Sequence, residues 1–319
     1  MHKLACSIGW RRLLLLGGAV ALSGVIVLAA SADEKQFSAW SAPVNLGPVV
    51  NSTSYDACPT ISKDGLSLYF RSNRPGSQGF DIYVSQRDSL EDPWGPPVNL
   101  GPTINGPYGE YCTAFSVDGH WMIFTSDRVG GCGGQDLWIS HRQNKRDDFA
   151  WETPKNLGCT VNSAFQENGP SLFEDEATGQ TLLYYSSARL GNLDIWASAA
   201  VSDEKDTFGP PTLVVELSTS SWIDYQPVVR KDGLEVIFAS NRPGGSGGAD
   251  LWTSTRDSTL VPWSVPVNLG PLVNSAAFDF HPTLSFDGTT LIFTSERAGA
   301  SNGWGDLYVA TREKLKGKK

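Results

Sequence analysis

Charge is scarce in this 319-residue chain: Asp, Glu, Lys and Arg make up 18% of it, against roughly 25% in an ordinary soluble domain. Basic residues are the scarcer sign, 25 against 34 acidic ones, for a net charge of −9. Phosphate-dominated nucleic-acid binding needs a basic surface and is excluded as a function class. Histidine is nearly absent. Of the four, His2 lies in the N-terminal segment, His120 follows an Asp-Gly turn and His141 ends a strand, so only His281 lies near the expected mouth, and a histidine-rich metal site is absent. No Gly-x-Ser-x-Gly elbow leading from a strand into a helix accompanies His281, which argues against a serine hydrolase. Glycine runs at 76–79, 130–134 and 244–248 join strands and open no helix, so they are not phosphate loops. What abounds is Gly (33), Pro (19) and Trp (11), with 40% apolar residues. That composition favours many short strands around a substantial core and disfavours a helical bundle.

The N-terminus reads as an export signal. Leu13 to Ala30 carries no charge over 18 residues, follows Arg11-Arg12 and precedes Ala30-Ser31-Ala32, a small-x-small cleavage pattern. Residues 1–32 are predicted to be a signal peptide; an uncleaved anchor is the alternative, because 18 residues sit at the lower edge of a membrane span. Either way the remainder is exported, to the periplasm or cell exterior. Cys6 precedes the apolar run and cannot be a lipobox cysteine. Residues 33–39 are read as a linker and 314–319 as a basic tail; a monomer is expected.

From Trp40 to Arg312 one unit recurs five times. Its first copy runs Trp40-Ser-Ala-Pro-Val-Asn-Leu-Gly47, Asp56-Ala-Cys-Pro59, Ile61-Ser-Lys-Asp64-Gly65, Leu68-Tyr-Phe70, Ser72-Asn-Arg74, a glycine-rich loop, and Asp81-Ile-Tyr-Val-Ser-Gln-Arg87. A period near 55 signals propellers or solenoids. Each copy holds four short apolar runs, two of them joined by Asp-Gly in four copies, which is a tight-hairpin signal. Four antiparallel strands make one propeller blade, so the fold class is all-β: a five-bladed β-propeller over 40–313. The third copy replaces Asp-Gly by Glu174-Asp-Glu-Ala-Thr-Gly179, so its hairpin should protrude. The chain starts with one PVNLG strand and stops after the Asp306 strand, so the N-terminal strand should complete the last blade.

The run Ser-x-Asp-Gly-x-x-Leu-Tyr-Phe-x-Ser-x-Arg-x-Gly-x-x-Gly-x-Asp-Ile-Tyr resembles the PD40, or WD40-like, repeat of TolB-type propellers. Copy three lacks the Asp-Gly turn, and copy four reads Arg230-Lys-Asp-Gly. The resemblance implies an exported propeller that binds an envelope or extracellular protein, or a carbohydrate, and implies no cofactor. Membrane contact would come only through an uncleaved leader.

Three polar positions recur. A carboxylate opens the innermost strand (Asp56, Glu110, Glu167, Asp224, Asp279), an arginine follows the second strand (Arg74, Arg128, Arg189, Arg242, Arg297), and an aspartate opens the third (Asp81, Asp136, Asp194, Asp250, Asp306). All should gather at one mouth of the channel. The arginines and third-strand aspartates are read as structural, closing the loop between them with bidentate hydrogen bonds. The first-series acids are the candidate catalytic set of an alternative reading, a glycoside hydrolase or lyase, since carboxylates around a cleft can cleave glycosidic bonds. A third reading is a scaffold held by a cation such as calcium. Near the same mouth Tyr55, Tyr108, Tyr111, Trp222, Tyr225, Phe278, Phe280, His281 and Trp304 could stack on a sugar or anchor a partner. Trp222 and Trp304 stand out because they break the repeat.

Four cysteines follow the leader. An even number in an oxidising compartment suggests disulfides, and position in the repeat predicts Cys58–Cys112 and Cys132–Cys159. The leading expectation is a binding module working through the acidic mouth.

Overall fold

The computed structural model describes residues 36–201, 206–298 and 305–315. The expected leader, Trp304 and the end of the basic tail fall outside them.

Strand β1 is Val44–Asn45. The first blade is β2 (Asp56–Ile61), β3 (Ser67–Ser72), β4 (Asp81–Gln86) and β5 (Val98–Asn99). The second is β6 (Glu110–Phe115), β7 (Trp121–Ser126), β8 (Asp136–His141) and β9 (Lys155–Asn156). The third is β10 (Glu167–Glu174), β11 (Thr181–Ser187), β12 (Asp194–Ala199) and β13 (Thr212–Leu213). The fourth is β14 (Asp224–Val229), β15 (Glu235–Ser240), β16 (Asp250–Thr255) and β17 (Val267–Asn268). The last is β18 (Asp279–Leu284), β19 (Thr290–Ser295) and β20 (Asp306–Thr311), with β1 added to its outer edge. Five four-stranded antiparallel blades form a β-propeller.

Each middle strand is apolar on both faces because a blade is sandwiched between two others. In β3, Tyr69 points toward the second blade and packs with Met122, Phe124 and Trp151. Leu68 and Phe70, one residue to either side, point toward the last blade and pack with Ile292 and Leu307. The period of two thus divides one strand between two interfaces. The opening aromatics seal these interfaces, and Arg87, Arg142, Arg256 and Arg312 lie 4.3, 4.3, 4.0 and 4.2 Å over the rings of Trp94, Trp151, Trp263 and Trp40. Buried Asp148 joins the first two blades by accepting from Ser67 Oγ, Tyr69 OH, Gln86 Nε2 and Arg142 Nη1 at 2.5–2.8 Å.

The Asp-Gly pairs do not form two-residue turns. Ser62 N donates to Ser67 O (2.8 Å) and Gly65 N to Ser62 O (2.9 Å), leaving a four-residue loop in which Gly65 takes φ 75°. Asp64 fixes that loop by accepting from Ser62 Oγ and Leu66 N. In the third blade β10 and β11 run longer, eight and seven residues, and Asp175 turns the acidic hairpin by accepting from Ala177 N.

Closure follows the expected phase. Val44 pairs Val309 and Asn45 pairs Tyr308. Residues 36–39, read as linker, also pack on the propeller: Phe37 pairs with Lys314 and lies beneath the guanidinium groups of Arg230 and Arg312. Deleting residues 40–47 exposes the edge of β20, a template for pairing with other chains. The expected outcome is a shift from a single species to aggregates in size-exclusion chromatography, where the intact chain elutes as one peak.

Candidate functional site

The five first-series acids are not at the surface of the mouth. Their side chains are 0% exposed, and each is held by the arginine that follows the second strand: Arg74–Asp56 2.7 Å, Arg128–Glu110 3.0 Å, Arg189–Glu167 3.3 Å, Arg242–Asp224 2.5 Å and Arg297–Asp279 2.7 Å. The second carboxylate oxygen accepts from the preceding turn: from Ser52 N in the first blade, Gly106 N in the second, Ser163 N in the third, Thr219 Oγ1 in the fourth and Ser275 N in the last. Each arginine also donates to a carbonyl of that turn, as Arg74 does to Val50 O. This is a repeated clamp between strand and blade linker, and its guanidinium supplies the positive charge that a structural calcium would have brought.

The expected partnership of arginine with the third-strand aspartate is therefore corrected. Asp81, Asp136, Asp250 and Asp306 accept instead from Asn99, Asn156, Asn268 and Asn45 of the outer strand, at 2.7–3.1 Å. A second asparagine (Asn105, in the first blade) bonds both the N–H and the C=O of Ile82, tying the linker to the third strand. Asp194 has Leu213 where the others have asparagine, and burial together with the charge of Asp224 pushes its pKa up to about 6.

Glu110 differs from the other clamped acids. Burial raises its pKa to about 7, against the opposing pull of Arg128. The folded state thus holds this proton more tightly than the unfolded chain, so the contribution of Glu110 to stability is fully present below pH 4.5 and is lost as pH rises through 7. Glu110→Gln is expected to remove a decline on the order of 3 kcal/mol over that window. Urea titrations of both proteins at pH 5 and pH 8 measure it.

The surface of the mouth is built from residues that depart from the repeat. Arg71 occupies a position held by Thr125, Ser186, Ala239 and Thr294 elsewhere. Its guanidinium lies 5.5, 4.8 and 5.2 Å over the rings of Tyr55, Phe80 and Tyr111. Nε of Arg71 is buried without a hydrogen-bond partner. To one side Tyr55 OH donates to Glu296 Oε1 (3.3 Å); to the other Tyr111 OH donates to Asp127 Oδ2 (3.2 Å). Asp127 and Glu296 stand between the serine and arginine that close each second strand, where the other blades carry Asn73, Ala188 and Asn241. Neither carboxylate forms an ion pair among the described residues.

Burial pushes the pKa of Tyr55 up to about 12 and raises that of Tyr111, with Glu296 and Asp127 adding to the respective shifts. Both phenols stay protonated donors at physiological pH. Tyr225, also raised by burial, completes the floor beside Tyr55. Around the rim Phe165, Trp222 and Phe278 are 54, 40 and 46% exposed. Of the aromatics expected here, Phe280 is buried against His281 at 4.3 Å, Tyr108 is half-buried and Trp304 lies outside the described residues. Phe80, Arg71, Asp127, Phe165 and Glu296 were missed by the sequence reading; their departure from the repeat was the available signal.

Below this mouth the channel narrows. Every inner strand loses its register near its start: after the opening carboxylate and its neighbour in four blades, as between Ala57 and Thr60 in β2 and between Asn168 and Ser171 in β10, and directly after the carboxylate in β6, between Glu110 and Thr113. The bulge presents Cys58, Cys112, Gly169, Gln226 and His281 to a cavity of about 140 Å³. Cys58 and Cys112 are joined there, and Cys132 is joined to Cys159, as expected from their places in the repeat. Burial holds the His281 pKa well below its usual value, so the imidazole is neutral.

No family's sequence profile matches the chain, and no curated protein sequence does. Solved structures do. A thermostable family-43 glycoside hydrolase is 12% identical with a TM-score of 0.58, covering 86% of this chain and 94% of its own. A GH62 hydrolase in complex with xylotriose is 12% identical with a TM-score of 0.58, covering 87% and 99%. An α-L-arabinofuranosidase from Podospora anserina, in complex with cellotriose, is 13% identical with a TM-score of 0.55, covering 87% and 96%. At such identities the likeness concerns the fold. These neighbours give no support to the PD40 and TolB resemblance beyond a β-propeller. They also correct the leading expectation of a binding module, because the propellers that this chain resembles are glycoside hydrolases.

Proposed function

We propose that the protein is an exported glycoside hydrolase acting on a carbohydrate held at the Arg71 mouth, with Asp127 and Glu296 as its carboxylate pair. Support comes first from one arrangement: two carboxylates outside any arginine clamp, each accepting from a half-buried tyrosine, on opposite sides of a platform of Phe80 and Arg71. Glycoside hydrolysis needs such a pair, one member protonating the leaving oxygen while the other activates water or attacks the sugar directly. Tyr55 and Tyr111 would orient the carboxylates. The exposed rim aromatics suit stacking on sugar faces, and the neighbours' fold and carbohydrate complexes agree with this reading. Two disulfides accord with an extracellular or periplasmic site of action.

The five clamped acids serve this chemistry less well. Their oxygens already accept from arginine and from turn N–H or O–H groups, and no water reaches them. The test is reducing-end release from xylan, arabinoxylan, cello-oligosaccharides and other polysaccharides, with the Asp127→Asn, Glu296→Gln double variant as control. Release that the control abolishes supports the proposal. Release that survives in the control, or none from a folded wild-type sample across the panel, overturns it.

A further inference from the structure

We propose that the waist of the channel is a second site: in the reduced protein Cys58, Cys112 and His281 bind a zinc ion whose open coordination position faces the 140 Å³ cavity. The ligand atoms of these three residues lie within 4.8 Å of one another, and all three are buried. The inner-strand bulges aim them there. Cys58, Gln226 and His281 adopt φ near 53° (54°, 54° and 52°), a conformation that costs energy for any residue but glycine and tends to occur where a side chain has to be aimed.

The surrounding contacts resemble those that fix metal ligands. Thr294 Oγ1 bonds both His281 Nδ1 (3.2 Å) and Cys58 N (3.2 Å), which leaves Nε2 as the available imidazole donor. Gln226 Oε1 accepts from His281 N (3.2 Å), and its Nε2 lies 3.8 Å from Cys112 Sγ. Two thiolates, one neutral imidazole and an open fourth position form a recognised catalytic zinc donor set. Charge selects the ion. Among the described residues the cavity lining includes Lys63, Arg230 and Lys231 and no carboxylate, so no neighbouring acid offsets the charge of a bound cation and its ligands themselves must neutralise it. A divalent ion with two thiolates and an imidazole is neutral, whereas a monovalent ion would leave a net negative charge.

In the structure the two cysteines form a disulfide, so zinc-bound and disulfide forms are alternatives. A dithiol reductant opens the bond by exchange, leaving as its own cyclic disulfide and delivering two electrons and two protons as a pair of thiols. Zinc then binds as both thiols release their protons to solvent.

The experiment reduces the full chain with a water-soluble phosphine, which leaves as its oxide, and titrates it anaerobically with cobalt(II), then zinc(II). The expected result is one cobalt per chain with thiolate-to-cobalt charge-transfer absorption and tetrahedral ligand-field bands, displaced by one zinc. His281→Asn, chosen because asparagine tolerates positive φ, and Cys58→Ser should each weaken binding at least 100-fold, with folding checked by circular dichroism. Cys132→Ser should leave the spectrum unchanged. Absence of the bands in reduced, folded protein overturns the inference. So does a spectrum that persists in His281→Asn and Cys58→Ser or disappears in Cys132→Ser.

Discussion

Arg242→Met should destabilise the propeller by about 3–5 kcal/mol, the cost of leaving a buried charge without its partner. Methionine retains most of the packing of the arginine stem against Phe238 and Trp252, whose rings lie 5.0 and 5.4 Å from the guanidinium. It removes the Nη2 bonds to Asp224 Oδ1 (2.5 Å) and Leu217 O (2.8 Å), together with the Nε bond to Asp224 (3.2 Å). Asp224, 0% exposed, would keep only Ser240 and Thr219. Adding Asp224→Asn neutralises the orphaned charge and should recover a large part of the loss, because replacing both members of a buried pair is far milder than removing one. Urea unfolding of the two variants and the wild type measures this. Arg71→Met is the contrast, because Arg71 clamps no carboxylate among the described residues, and its cost should stay near 1 kcal/mol.

The largest kinetic effects should fall on Asp127 and Glu296. Removing a positioned proton donor or acceptor usually costs 10²–10⁴-fold in rate, and Glu296→Gln and Asp127→Asn are each expected to lower kcat within that range. Both substitutions preserve shape, and neither breaks an ion pair among the described residues, so unfolding midpoints should move little. The split between kcat and KM is informative: a carboxylate acting in the transition state lowers kcat and kcat/KM together, whereas a group that only binds substrate raises KM. Tyr55→Phe and Tyr111→Phe, which remove the phenol donors, should produce smaller losses in the same direction.

Sequence and structure agree where information is local and repeated. Four apolar runs per copy, the Asp-Gly loops and the phase of the first strand are each read within one copy, and β1 pairs with β20 as that phase requires. The disulfide partners were legible for the same reason, since Cys58 and Cys112 occupy equivalent places in neighbouring copies. The clamp was legible as a set of positions and misread as a set of partners. Arg74 is nearer in sequence to Asp81 than to Asp56, but the antiparallel register sets Ser72 opposite both Asp56 and Asp81, and only the former lies within reach of its guanidinium. Repetition also drew attention toward what every blade needs. Arg71, Asp127 and Glu296 occur once each at their positions, and a site that breaks fivefold symmetry is found by what differs between copies.

The most direct measurement is a crystal structure of the protein with an oligosaccharide that it hydrolyses, captured in the Glu296→Gln variant. The account requires a sugar ring over Phe80 and Arg71, with the scissile oxygen within hydrogen-bond reach of one of residues 127 and 296 and the other residue on the opposite side of the bond. Sugar bound at the far mouth or in a groove between blades, remote from both residues, would contradict it.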